Sequence, residues 1–194
     1  MDKIEPLTIP LPKSPQASRH YLRLLYSLGD FQLALSAAAF LGDCDPDAKY
    51  SKIELRRFRC YETTVIIAYT RPFSQSKGGI PPLTIRMTGA ILSHEQKELH
   101  RRLVKLRNKV IAHSDAEMMR MVSKTHPTKF DDGFEFVFLQ TAFDEGLTFV
   151  GHNLIDLDEL LHLVSGALYT KLLKEAQRRP KDFDIRKDYL DGSV

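Results

Sequence analysis

Residues 93–115 read SHEQKELHRRLVKLRNKVIAHSD, and this stretch decides the fold. Ser93 with Gln96 has the form of a capping box, in which each side chain serves a backbone N–H left over at a helix start. Leu99, Leu103, Leu106 and Val110 follow at steps of four, three and four, the spacing of one face of an α-helix. Val104 and Ile111 widen that stripe, so the helix is expected to pack on more than one neighbour. About 23 residues at 1.5 Å each predict a rod of roughly 35 Å, the height of a helical bundle.

On the N-terminal side, residues 1–13 carry Pro6, Pro10 and Pro12 and predict an extended arm. Ser14 and Pro15 suit a helix start, the hydroxyl as N-cap and the proline in the first position. A long helix is expected to run to about Leu41 and end near Gly42, with Leu24, Leu25, Leu28, Phe31, Leu35, Ala38 and Ala39 as its apolar side. Gly29 is a point where it could break, at about 1 kcal/mol relative to Ala. After the loop Asp45-Pro46-Asp47, a second long helix is expected over roughly 48–71. It would turn Ile53, Phe58, Tyr61, Val65 and Ala68 to the core and stop at Pro72. Ser74 to Thr88, with Gly78, Gly79, Pro81 and Pro82, predicts a long loop of the functional or mobile kind.

On the C-terminal side the period changes from 3.6 to 2. Phe134, Phe136 and Phe138 alternate along one strand, and Leu147 to Val150 is expected to return across a turn at Asp144-Glu145-Gly146. Met119, Met121 and Ser123 would add a third strand, making residues 117–152 a small antiparallel insert whose phenylalanines serve as core or dimer contacts. Asp156 with Glu159 reads as the cap of a last long helix. Its stripe is Leu157, Leu160, Leu161, Val164, Leu168 and Leu172, and its late cations suit the helix dipole. The tail over 180–194 is polar. The chain is therefore expected to be mainly α: one domain over 1–194, a four-helix up-down bundle with a small antiparallel β insert between the third and fourth long helices.

Composition narrows the classes. The apolar fraction of 43% and charged fraction of 27% are those of a globular protein with a real core. Lys and Arg number 28 against 25 Asp and Glu, a net charge of +3 that permits an RNA partner without requiring one. No uninterrupted apolar run of membrane-spanning length occurs, and MDKIEPLTIPLPKSP lacks the layout of a signal peptide. Cys44 and Cys60 form no paired motif, so neither a disulfide framework nor a zinc site is expected and the chain reads as cytoplasmic. His94 and His100 lie six apart, which is not ligand spacing, and neither a metal nor a cofactor is expected.

Late in the central helix come Arg107, Asn108, a short spacer, His113, Ser114 and Asp115. This Arg-x5-His arrangement, on the third long helix of an all-α chain, resembles the HEPN superfamily (higher eukaryotes and prokaryotes nucleotide-binding). The wording RNKVIAHSD after LHRRLVKL is most like its prokaryotic abortive-infection type, and Tyr69-Thr70-Arg71 resembles the same subtype. The resemblance covers roughly 15–115 and 155–178 and is sharpest over 107–115. It implies a homodimer through helix 93–115, a composite site between the copies, and metal-independent cleavage of RNA leaving a 2′,3′-cyclic phosphate. A toxin–antitoxin or phage-defence setting, with an antitoxin-like protein partner, would follow.

The residue types suit that chemistry. Histidine titrates nearest neutral pH, so His113 is the candidate to move a proton at the 2′-hydroxyl or the leaving oxygen. The guanidinium of Arg107 can stabilise the crowded, anionic transition state with directed donors. Asn108 would make a phosphate or orienting contact, Ser114 and Asp115 would hold one tautomer of His113, and Arg71 and Lys105 would meet the substrate. Arg101, Arg102 and Lys105 read either as a phosphate-tracking edge or as a solvated face. Six residues turn about 600°, so Arg107 and His113 would stand about 120° apart on a regular helix, which favours a site shared across a two-fold axis. Spacing alone has another reading, with Arg107 ion-paired or solvated and His113 a satisfied core or interface histidine. Ser114 and Asp115 equally suit a helix end. The Ser-Asp ending departs from the His-x-Tyr of some toxins in the superfamily, which keeps open a non-catalytic module that binds RNA, a nucleotide or a protein.

Overall fold

The computed structural model describes residues 15–75, 80–108, 121–131, 133–143 and 146–183. The first helix, α1, spans Pro15–Leu41 without a break at Gly29. Its inward side chains Leu24, Phe31, Ala34, Ala38 and Leu41 are buried at helical spacing. Three small residues, Ala34, Ala37 and Ala38, let α2 (Lys52–Thr70) lie close along it. That second helix begins later than Asp47. Ser51 and Glu54 form a reciprocal cap, Ser51 N–H to Glu54 Oε2 at 2.7 Å and Glu54 N–H to Ser51 Oγ at 3.3 Å. Ile53 is consequently in the first, outermost turn and 79% exposed, not in the core as its spacing suggested.

Pro72 closes α2 through a 3-10 turn, Arg71–Phe73. The expected loop over 74–88 is in part a helix, α3 (Ile85–Thr88), which is capped by Thr84 and ends on Gly89 at φ 84°. It is also strapped down. Buried Arg23 donates through Nε to the carbonyl of Pro81 at 2.7 Å, Leu83 N–H reaches Pro72 O at 2.8 Å, and Lys171 Nζ meets Met87 O at 2.7 Å.

The fourth helix, α4 (His94–Leu106), packs on α2 and α5, so it does have more than one neighbour. The last, α5 (His152–Arg178), buries Leu157, Leu160, Leu161, Val164, Leu168 and Leu172, the stripe expected for it. Each such leucine stabilises the fold by roughly 1.5–3 kcal/mol relative to exposure. Its start is not the Asp156–Glu159 pair. The helix begins a turn earlier on Gly151, whose φ of 55° favours glycine, and Asp156 falls in the second turn. The end of the chain also departs from a simple polar tail. Pro180–Asp182 makes a 3-10 turn, and the Phe183 ring sits edge-on to Tyr21 at 5.2 Å.

Among the described residues between α4 and α5 lies one antiparallel pair, β1 (Met121–Lys129) with β2 (Glu135–Phe143). The partner of the phenylalanine strand is thus the upstream segment, while 147–150 is no strand. The turn sits at 130–134, where Gly133 takes φ 84° and its N–H reaches Phe130 O at 3.0 Å. Residues 147–150 instead return to the helices, and Phe149 is completely buried among them. Mainly helical with a two-stranded antiparallel sheet is therefore the observed class. The arm over 1–13, His113, Ser114, Asp115 and most of the polar tail lie outside the described residues.

By length and composition, Arg19–Leu41 would suffice to cross a membrane, with a mean hydropathy of 1.4. Here Leu24, Phe31, Ala34, Ala38 and Leu41 are buried while Leu33 and Phe40 are exposed, and Arg23, Ser27 and Asp30 interrupt the apolar run.

Candidate functional site

The site is built on α4. Ser93 Oγ accepts from Gln96 N–H at 3.2 Å while Ser93 N–H donates to Gln96 Oε1 at 3.0 Å, so the capping box is formed. Leu103 is wholly buried, with Leu99 and Leu106 packed beside the core, which sets the rotation of the helix and the side each cation faces. At its end Arg107 still has α geometry, φ −58° and ψ −47°, with its N–H on the carbonyls of Leu103 and Val104. Arg107 and Asn108 are brought together: Arg107 Nη1 donates to Asn108 Oδ1 at 2.9 Å.

The other basic side chains are less free. Arg71 is tied to Asp30 of α1 at 2.8 Å, and burial holds the Asp30 carboxyl above its usual range, an effect that Arg71 and Arg23 only partly offset. Arg101 pairs with Glu98, and the guanidinium of Arg102 lies over the Phe149 ring at 5.4 Å. Lys105 is exposed, but two residues before Arg107 it points about 200° round the helix, to the opposite side.

His100 drew notice in the sequence only beside His94, at a spacing that does not suit a metal. It precedes Arg107 by seven residues, close to two full turns, so it stands on the same side of α4. Its Nδ1 meets the Tyr69 hydroxyl at 2.9 Å and its ring lies edge-on to Phe73 at 4.7 Å. Burial, and then neighbouring Arg101, pull its pKa below the usual 6.5. Burial also raises the Tyr69 phenol, so the phenol keeps its proton. Through this contact His100 joins α2 to α4. Its signal in the sequence was its place three before Leu103.

A second residue missed is Glu62, 1% exposed in the apolar stripe of α2. Oε1 accepts from Thr148 N–H at 2.5 Å and Phe149 N–H at 2.7 Å, and Oε2 meets Arg59 Nη1 at 2.5 Å. Arg59 also holds Gly146 O at 3.1 Å, so the pair clamps the returning end of the hairpin.

Two clefts lie apart from Arg107. One of about 740 Å³ separates the first turns of α4 and α5 and is acidic, with Glu95, Glu98, Asp156 and Glu159 on its walls, an unfavourable surface for phosphate. The other, about 610 Å³, runs along α5 beside Thr170, Lys171, Lys174 and Arg178. Among the described residues no three His, Cys, Asp or Glu side chains gather as a metal site. Compared with known proteins, the chain matches no family model, no curated protein and no solved structure.

Proposed function

We propose that the chain is a HEPN-like, metal-independent endoribonuclease of the toxin or phage-defence kind, acting in the cytoplasm as a dimer through helix 93–115. Arg107 stabilises the pentacoordinate phosphate and His113 moves the proton at the 2′-hydroxyl or the leaving oxygen. Asn108, hydrogen-bonded to Arg107, orients the guanidinium toward phosphate. What supports the reading is the contact at the arginine of the motif, where Arg107 Nη1 donates to Asn108 Oδ1 at 2.9 Å at the end of α4.

The experiment is cleavage of RNA by the wild-type chain, Arg107→Ala and His113→Ala, each checked for folding by circular dichroism. Each substitution is expected to lower the rate by about 10²–10⁴-fold. If the two residues of one site come from different copies, mixing the inactive variants restores one intact site per heterodimer. An unaltered rate in either variant refutes the assignment. The second reading is a non-catalytic HEPN binding module. It is favoured by the engagement of Arg71, Arg101 and Arg102 in internal contacts, which leaves fewer cations for a substrate. Wild-type protein that binds RNA and leaves it intact would decide for it.

A further inference from the structure

The β1–β2 hairpin spends apolar side chains on solvent. Apart from Thr128, every residue described over 122–131 and 133–141 is exposed. Val122, Phe130, Phe136, Val137, Phe138 and Leu139 are 43–66% exposed. Large apolar side chains bury roughly 150–250 Å² when covered, so these six present about 600 Å². That is at the upper end for the largest patch of a monomer, and with flanking backbone it approaches the roughly 800 Å² each partner gives to a stable interface. Both faces contribute, with Phe136 and Phe138 on one and Val137 and Leu139 on the other. A lone two-stranded hairpin is marginal in water, which makes a covering layer or a further strand the physical requirement.

The two edges differ. Strand β1 carries Lys124, Pro127 and Lys129, residues that blunt an edge against further pairing. Strand β2, EFVFLQTAF, has no proline, glycine or lysine, and its one charge, Glu135, is paired with Lys129. Among the described residues, nothing along its outer edge prevents a third strand from docking. A nearly uncharged strand also offers no electrostatic code for a basic or acidic partner, whereas it complements itself.

We propose that two copies of the chain join through the outer edges of β2, antiparallel across a two-fold axis, to make a four-stranded sheet ordered β1–β2–β2–β1. The contact is isologous, so each apolar residue meets one from the other copy. The most apolar register sets Phe138 opposite its counterpart and Val137 opposite Leu139, and cross-strand pairs of this kind stabilise sheets. This contact is separate from pairing through helix 93–115, and either can stand without the other.

The test is self-association of the full chain by light scattering and sedimentation, with Val137→Lys/Leu139→Lys as the perturbation. These side chains lie outside the helical core, so the helical circular dichroism should stay unchanged. The doubly charged edge is expected to weaken association about 100-fold or more and to halve the mass at micromolar concentration. A second measurement needs no loss of stability. In a Cys60→Ser background, Val137→Cys, Phe138→Cys and Leu139→Cys are oxidised in turn. At least one should give a disulfide-linked dimer rapidly, while Lys124→Cys on β1 should not. A wild-type monomer at 100 µM by order of magnitude, a mass unmoved by the lysines, or equal cross-linking from β1 would overturn the proposal. So would a monomer whose β2 edge is instead covered by a different protein.

Discussion

Removing the carboxylate of Glu62 should loosen the junction between helices and hairpin, by an amount the structure lets us bound. In Glu62→Ala the amides of Thr148 and Phe149 lose their acceptor, and Phe149 lies where water does not reach. A buried polar group without a partner costs about 1–3 kcal/mol. Two such groups and a small void outweigh the relief of desolvating one carboxylate, for a net loss of about 3–4 kcal/mol. Arg59 adds little, because its side chain is 38% exposed and can hydrate. Glu62→Gln keeps one carbonyl oxygen for the two amides and loses only the charge assistance, which should cost about 1–2 kcal/mol. The assay is urea unfolding of the three proteins, followed by hydrogen exchange at Thr148 and Phe149, which should be protected in wild type and Gln and fast in Ala. A loss under about 1 kcal/mol for Ala, or equal losses for Gln and Ala, would refute the clamp.

Three further outcomes follow from the same structure. His100 has its folded pKa lowered by burial, so the unfolded chain binds the proton first; its contribution is whole above about 6.5 and is lost as pH falls below that. Urea titrations between pH 7.5 and 5.5, by order of magnitude, should therefore show a flatter pH dependence for His100→Gln than for wild type, and parallel curves would disprove it. Gly29 and Gly166 sit in exposed helix interiors with nothing within 4 Å of an added Cβ. Replacing each by Ala should stabilise by about 0.5–1 kcal/mol, raising Tm by a few degrees, and a lower Tm would show crowding that the backbone does not indicate. RNA cleavage, where present, should persist in EDTA; activity lost there and restored by one divalent ion would sink the metal-free mechanism.

The long helices were legible because their signals are local. Apolar side chains at three- and four-residue steps announce a buried face whatever it is buried against, as Leu157 to Leu172 do on α5. The Ser93–Gln96 cap is equally local, a contact between residues three apart. The alternation of Phe134, Phe136 and Phe138 likewise marked a strand. Its partner could not be read in the same way, because a strand pairs equally well up or down the chain. Asp131-Asp132-Gly133 and Asp144-Glu145-Gly146 are both credible turns, and the choice was made by Glu62, which captures the amides at 148 and 149 and holds that stretch in the core.

What the sequence by itself determined is the long helices and most of their inward faces; Arg107 to Asp115 it offers as a motif, and the chemistry on RNA is our proposal. Tertiary structure decided which charges are available to that chemistry. Arg71 went to Asp30, Arg102 to the face of Phe149, and His100 to Tyr69, each a contact between residues 31 or more positions apart. Such pairings depend on how helices are set against one another, and periodicity describes one helix at a time. The carboxylate at Glu62 shows the limit most plainly. Its place between Phe58 and Val65 announces burial, but burying a charge is tolerable only with partners, and these come from a segment 86 residues away.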